Sequence, residues 1–92
     1  MSILHLVRRS AFDTHDFEQC IQTLSSNHTL VLIDDGCYNI HHPLIKQVAV
    51  PIKVMEVHAL ARGLNLDDIT NLIDMTELVN LTFTHNSVMT WQ

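Results

Sequence analysis

The strongest constraint on the fold is an uninterrupted apolar run, Leu30-Val31-Leu32-Ile33, which stops at Asp34-Asp35-Gly36. A strand with one wet face alternates apolar and polar residues, whereas a strand covered on both faces is apolar throughout, as in parallel sheets. Acidic residues and a glycine directly after such a run are typical of the loop that follows a strand. The run therefore predicts a central, doubly covered strand of a parallel sheet.

Short apolar runs alternate with helix-like segments on both sides of this strand. Further strands are predicted at 3–7, at 52–58 after Pro51, and at 72–75. Phe17, Ile21 and Leu24 recur at helical spacing, with Asp13 or Thr14 as the N-cap, and shorter helical segments are predicted at 43–48 and 59–62. This alternation predicts a small α/β domain with a mainly parallel sheet of about four strands.

The last segment of the chain fits two patterns. One helical face would collect five residues, with Thr76 as the N-cap: Leu78, Leu81, His85, Val88 and Met89. A strand would instead use the alternation of Val79, Leu81 and Phe83. The pattern slightly favours the helix.

Composition limits the classes of function. Ninety-two residues allow one domain, and a formal charge of −5 argues against binding nucleic acid directly. Charged residues make up only 16% of the chain, below the usual quarter, and few helices are available to cover a parallel sheet. The opening apolar stretch is too short for a signal peptide, and no window is long enough to span a membrane. We therefore expect a cytoplasmic protein whose surface is completed by partners.

The candidates for chemistry are few. Cys20 flanks the apolar face of its predicted helix. This position favours a structural role, as a small, half-buried apolar side chain, over a role as a reactive thiolate. Cys37 follows two carboxylates, which would raise its pKa, so a structural role is favoured there too. A cytoplasmic location argues against a disulfide between them. Trp91, near the chain end, either packs back on the core or anchors a partner, and the pattern does not separate the two.

Metal and cofactor sites are not predicted. The seven histidines include no i, i+4 pair and no HExxH motif, and the adjacent His41 and His42 would diverge. With only two glycines, far apart, the chain has no glycine-rich loop for a phosphate or a dinucleotide.

A set of short motifs, taken in order, resembles the TusB/DsrH family over essentially the whole length. They are Ile3-Leu4-His5, Ser10-Ala11-Phe12, Asp35-Gly36 after an apolar strand, Ala61-Arg62-Gly63, and Leu81-Thr82 with Trp91 near the end. The resemblance implies one domain over 1–92 with a DsrE/DsrF-like three-layer sandwich. It also implies that the tail is a helix closed by Trp91.

The resemblance further implies a function. The chain would be a subunit of a cytoplasmic TusBCD-like sulfurtransferase complex that relays persulfide sulfur for thiolation of the tRNA wobble uridine. Its partners would be TusC/DsrF-like and TusD/DsrE-like subunits in a heterohexamer, with TusA- and TusE-like carriers delivering and receiving sulfur. The alternatives are a DsrH-like subunit of a DsrEFH complex in dissimilatory sulfur oxidation, and an interaction module with no sulfur role.

In this family the principal sulfur-carrying cysteine lies on the TusD or DsrE subunit. The resemblance therefore implies an accessory subunit that is not catalytic alone, and whether it counts as an enzyme stays open. Cys20 matches a cysteine of DsrH proteins that some TusB proteins lack, which makes it the candidate persulfide carrier of this chain. Contact with tRNA would belong to the thiouridylase, not to this subunit.

Overall fold

A computed structural model describes residues 2–91, which form a five-stranded sheet flanked by helices. Its strands are β1 (Ile3–Val7), β2 (Thr29–Leu32), β3 (Ile52–Met55), β4 (Leu72–Ile73) and β5 (Ser87–Trp91). The α-helices are α1 (Asp16–Thr23), α2 (Glu56–Ala61) and α3 (Met75–Thr84), and 3-10 helices span Asp34–His41, Pro43–Gln47 and Leu66–Asp68. Met1 and Gln92 lie outside the described residues, so the domain bounds 1–92 stay a prediction.

The sheet confirms the α/β class and the parallel arrangement. Its order is β4-β3-β2-β1-β5, and each neighbouring pair is parallel. β2 lies at the centre, and Leu30, Val31 and Leu32 are completely buried. Its apolar run is continuous because both faces of this strand are covered.

The two faces of the sheet are covered unequally. On one face, Phe17 and Cys20 of α1 and Ala59 of α2 pack over the core strands. On the other, α3 alone packs Leu78 and Leu81 over a smaller buried cluster. The result is the predicted three-layer arrangement, with a single helix as one of its outer layers.

The tail is the predicted helix as far as Thr84, but that helix does not continue to Trp91. α3 ends at Thr84, and residues 87–91 form β5, which pairs in parallel with β1. Val88 and Met89 therefore lie on a fifth strand, and Trp91 closes that strand. The physical reason is the free edge of β1, whose backbone groups β5 satisfies, as in the bond from Arg8 N–H to the Trp91 carbonyl. The sheet accordingly has five strands instead of about four.

The predicted N-caps of α1 and α3 were wrong, although the segment predicted to begin at Pro43 does begin there. Asp13 and Thr14 belong to a turn in which their backbone N–H groups donate to the Ser10 carbonyl, and α1 begins two residues later, at Asp16. α3 is capped by Asp74, not by Thr76. The third strand is shorter than predicted because α2 already begins at Glu56. Local pattern finds an element but does not decide which of several polar residues caps it.

Candidate functional site

A charged cleft lies where β1 and β2 end, the sheet edge at which open α/β proteins usually place their sites. It has a volume of about 440 Å³. Its lining residues come from the segments after β1 and β2 and from the end of α2: Arg8, Arg9, Ser10, Asp13, Thr14, Asp34, Asp35 and Arg62. Basic residues follow one strand and acidic residues the next, so the parallel topology brings opposite charges together.

Two acidic residues of this cleft, Asp34 and Asp35, form ion pairs within it. Arg8 Nε lies 2.9 Å from Asp34 Oδ2, and Arg62 Nε lies 2.9 Å from Asp35 Oδ1. The backbone N–H of Asp34 donates to His58 Nδ1 at 3.0 Å, so that nitrogen carries no proton. A cleft of paired charges suits recognition of a polar surface and supplies no thiol nucleophile.

The loop after β2 is held tightly against β1. Gly36 N–H donates to the carbonyls of Ile33 and Arg8, and a Cβ at Gly36 would lie only 2.0 Å from the Val7 carbonyl oxygen. Only glycine permits this approach. Gly36 thereby fixes the two preceding carboxylates at the mouth of the cleft.

Asn39 is a structural anchor that sequence analysis missed. It is completely buried, its side-chain amide donates to the Arg9 carbonyl, and its side-chain oxygen accepts from Ala11 N–H. These bonds tie the segment after β1 to the 3-10 helix after β2. A single buried asparagine leaves no periodic signal, so its role could not be predicted from the sequence pattern.

Cys20 and Cys37 lie outside the cleft, and both are completely buried. Burial raises the pKa of the Cys20 thiol to about 12. Burial also raises the pKa of Cys37 to about 11, opposed by Arg62 and reinforced by Asp34 and Asp35. The carboxylates therefore act in the predicted direction, but burial is the larger cause. The role of Cys20 as a sulfur carrier stays a prediction.

Five of the seven histidines take part in side-chain hydrogen bonds within the described part of the chain. Within residues 2–91 no group of three or more His, Cys, Asp or Glu side chains could hold a metal ion. His5 and His28 are buried and bonded to each other, and Trp91 packs back on the core with its indole N–H donating to His5. Of the two interpretations of Trp91, the structure shows packing on the core.

α3 has an exposed apolar surface. Met75, Val79 and Phe83, here called the α3 stripe, lie at i, i+4 and i+8 with exposed fractions of 56%, 44% and 82%. Leu78 and Leu81 of the same helix pack on the sheet. α3 therefore has a wider apolar surface than the sheet covers. No helix in the described part of the chain is long and apolar enough to cross a membrane.

Comparisons with known proteins agree with this fold. The family described as "DsrH like protein" matches residues 9–88. Protein TusB of Shigella flexneri and Protein TusB of Escherichia coli (strain K12) are each 32% identical, covering 97% of this chain and 100% of the relative. The solution NMR structure of protein Tm0979 from Thermotoga maritima superposes with a TM-score of 0.72 at 20% identity, over 91% of this chain and 93% of the other, which shows the shared fold. This chain belongs to the DsrH-like family.

Proposed function

We propose that the chain is a subunit of a cytoplasmic TusBCD-like sulfurtransferase complex that relays persulfide sulfur for thiolation of the tRNA wobble uridine. The observation that carries the proposal is the similarity to TusB proteins over nearly the full length of both chains. Its partners are TusC- and TusD-like subunits, with TusA- and TusE-like carriers acting through the complex. The match to the DsrH family favours a second candidate, a DsrEFH-like complex of sulfur oxidation.

The buried cysteines support an accessory role. A persulfide is formed and passed on by a thiolate. The pKa values of Cys20 and Cys37, raised to about 12 and about 11, leave both thiols protonated at neutral pH. We therefore expect the principal sulfur-carrying cysteine of such a relay to lie on a partner subunit.

The α3 stripe supports docking of a sister subunit with a DsrE/DsrF-like fold. Its exposed side chains carry no charge, and an apolar, uncharged centre is the composition of a subunit interface. A partner helix laid against Met75, Val79 and Phe83 would complete the layer that α3 covers alone. The charged cleft, at the carboxyl edge of the sheet, remains open for a polar partner.

Co-expression with TusC- and TusD-like chains, followed by size-exclusion chromatography, tests the proposal. We expect the three chains to co-elute. Phe83→Ser should weaken co-elution at least tenfold, since fully buried aromatic anchors are worth about 2 kcal/mol or more. Phe12→Ser is the matched control, because Phe12 is also exposed but lies outside α3 and contacts the His42 ring edge to face. Failure of the unaltered chain to co-elute with either partner would contradict the proposal.

Complementation separates the two pathways. In cells that lack TusB, this chain should restore the thiolated wobble uridine, measured by mass spectrometry of digested tRNA. A chain that co-elutes with TusC and TusD but leaves the uridine unmodified would favour the DsrEFH-like candidate.

Cys20 as the persulfide carrier is a separate part of the proposal. Because Cys20 is completely buried, α1 must move before the thiol can meet a donor. The test is transfer of labelled sulfur to the assembled complex, with Cys37→Ser as the control. Label on this chain that is lost in Cys20→Ser supports the carrier role. Unchanged sulfur flux in Cys20→Ser, with no label on this chain, would reject it.

A further inference from the structure

A buried chain of hydrogen bonds links the centre of the sheet to the end of the last strand. Trp91 Nε1 lies 3.1 Å from His5 Nδ1, His5 Nε2 lies 2.9 Å from His28 Nδ1, and His28 Nε2 lies 3.1 Å from Ser25 Oγ. His5 and His28 are 1% and 7% exposed. The proposed function does not use this network.

The indole fixes the direction of every bond in the chain. An indole N–H can only donate, so His5 Nδ1 must accept from Trp91. The proton of a neutral His5 is then on Nε2, which donates to His28 Nδ1. The proton of His28 is in turn on Nε2, facing the Ser25 hydroxyl. The network is complete only while both rings are neutral.

Protonation breaks the network at defined atoms. A second proton on His5 would sit on Nδ1 and face the Trp91 N–H, and one on His28 would sit on Nδ1 and face the His5 N–H. Either event sets two donors against each other. Burial, and secondly the charge of His28, lowers the pKa of His5, so the neutral form is the one that the fold favours.

Within residues 2–91, the strands that carry the network contribute no carboxylate to hold the added charge. β1, β2 and β5 contain no Asp, Glu, Lys or Arg, and the acidic residues of α1 are in its first turn, at Asp16 and Glu18. The Cys20 thiol of α1, packed in the same face, is uncharged. His85, beyond α3, bonds to Thr29 at the start of β2 and to the Leu81 carbonyl.

β5 is the strand most exposed to such a break. It is an edge strand that pairs with β1, and four of its five residues are exposed, with Trp91 half-buried. Its beginning is tied separately, since Asn86 and Ser2 exchange hydrogen bonds that do not titrate. Loss of the Trp91 side-chain bond therefore weakens the attachment of the carboxyl end of β5, which then depends on backbone pairing such as the Arg8 N–H bond to the Trp91 carbonyl, and leaves its start attached.

We propose that the His5–His28–Trp91 network is a pH-sensitive latch, in which protonation of the histidine pair releases Trp91 and detaches the end of β5 from β1. The two histidines share one hydrogen bond, so a proton added to either ring disturbs the bond that both use. The fold of the rest of the sheet is retained.

Trp91 is the single tryptophan of the chain and reports its own release. As pH falls from about 7.5 to about 5, its emission maximum should shift to longer wavelength with a midpoint below 6.5, while far-UV circular dichroism is preserved. His5→Asn places a non-titrating oxygen near the position of Nδ1 and should abolish the shift. His15→Gln, at an exposed histidine, should keep it. No shift in the unaltered protein, or the same shift in His5→Asn, would overturn the latch.

Hydrogen exchange on the unaltered protein tests the latch without any variant. After correction for intrinsic rates, the amides of residues 89–91 should lose at least tenfold more protection than those of β2 over the same pH range. Equal loss in both strands would mean global unfolding and would overturn the proposal.

Discussion

At the scale of single residues, burial decides the reactivity of the two cysteines. The pKa of Cys20, raised to about 12, lowers its thiolate fraction about 1,000-fold relative to an ordinary thiol, and that of Cys37, at about 11, lowers it about 100-fold. We expect alkylation of the folded chain by iodoacetamide to be slower than that of a model thiol by at least these factors. The Cys20→Ser and Cys37→Ser variants assign each rate. Labelling of Cys20 at the rate of a free thiol would show that α1 opens readily.

The two glycines are predicted to differ sharply in their tolerance of a side chain. Gly36→Ala would push a Cβ into the Val7 backbone and should cost about 3 kcal/mol. Gly63 has a φ of 72° but open space around it, so Gly63→Ala should cost only about 1 kcal/mol. Urea unfolding monitored by Trp91 fluorescence compares them. Equal costs would show that the loop after β2 can shift away from β1.

At the scale of elements, α3 begins with a reciprocal cap. Asp74 accepts from Glu77 N–H, and the Glu77 carboxylate accepts from Asp74 N–H. Asp74→Ala should therefore destabilise the fold by about 1 kcal/mol in urea unfolding. Thr76→Ala, at the residue that the sequence pattern favoured as the cap, should have an effect within about 0.5 kcal/mol. The reverse order would contradict the observed start of α3.

The elements also differ in how far the sequence predicted them. The bounds of β1 and the core of β2 could be predicted from apolar runs. A strand buried on both faces is a continuous apolar segment, which is visible in the sequence. The start of α3 and the presence of β5 could not be predicted in this way. Residues 85–89 continue the apolar spacing of the helix, yet the free edge of β1, more than 80 residues away, recruits them as a strand.

At the scale of the whole molecule, stability should fall at both ends of the pH range. The pKa of His5 is lowered in the fold, so the unfolded chain binds more protons below about pH 6.5, and stability decreases as pH falls through that region. The thiol pKa values are raised, so the unfolded chain loses protons first above about pH 9, and stability decreases as pH rises. Urea unfolding at a series of pH values measures the free energy of unfolding on the acidic and the alkaline side. A Cys20→Ser/Cys37→Ser variant should lose less stability at alkaline pH than the unaltered protein and should show the same loss at acidic pH.

The candidate site could be predicted only in part from the sequence. Arg8-Arg9 and Asp34-Asp35 each follow an apolar run, so a charged edge of the sheet could be anticipated, but Arg62 enters the cleft from a helix whose position depends on packing. Side-chain type and spacing, which bear on metal binding by histidines, are visible in a sequence. The bonds of the histidines to one another and to Trp91 form only after the sheet is assembled.

The sequence by itself determined the α/β class, the parallel sheet and the buried central strand, because hydrophobic periodicity is a local consequence of which faces are covered. The tertiary structure decided the fifth strand, the ion-paired cleft and the His5–His28–Trp91 network. Each of these depends on groups far apart in the chain satisfying one another's hydrogen bonds or charges, and no local pattern encodes that complementarity.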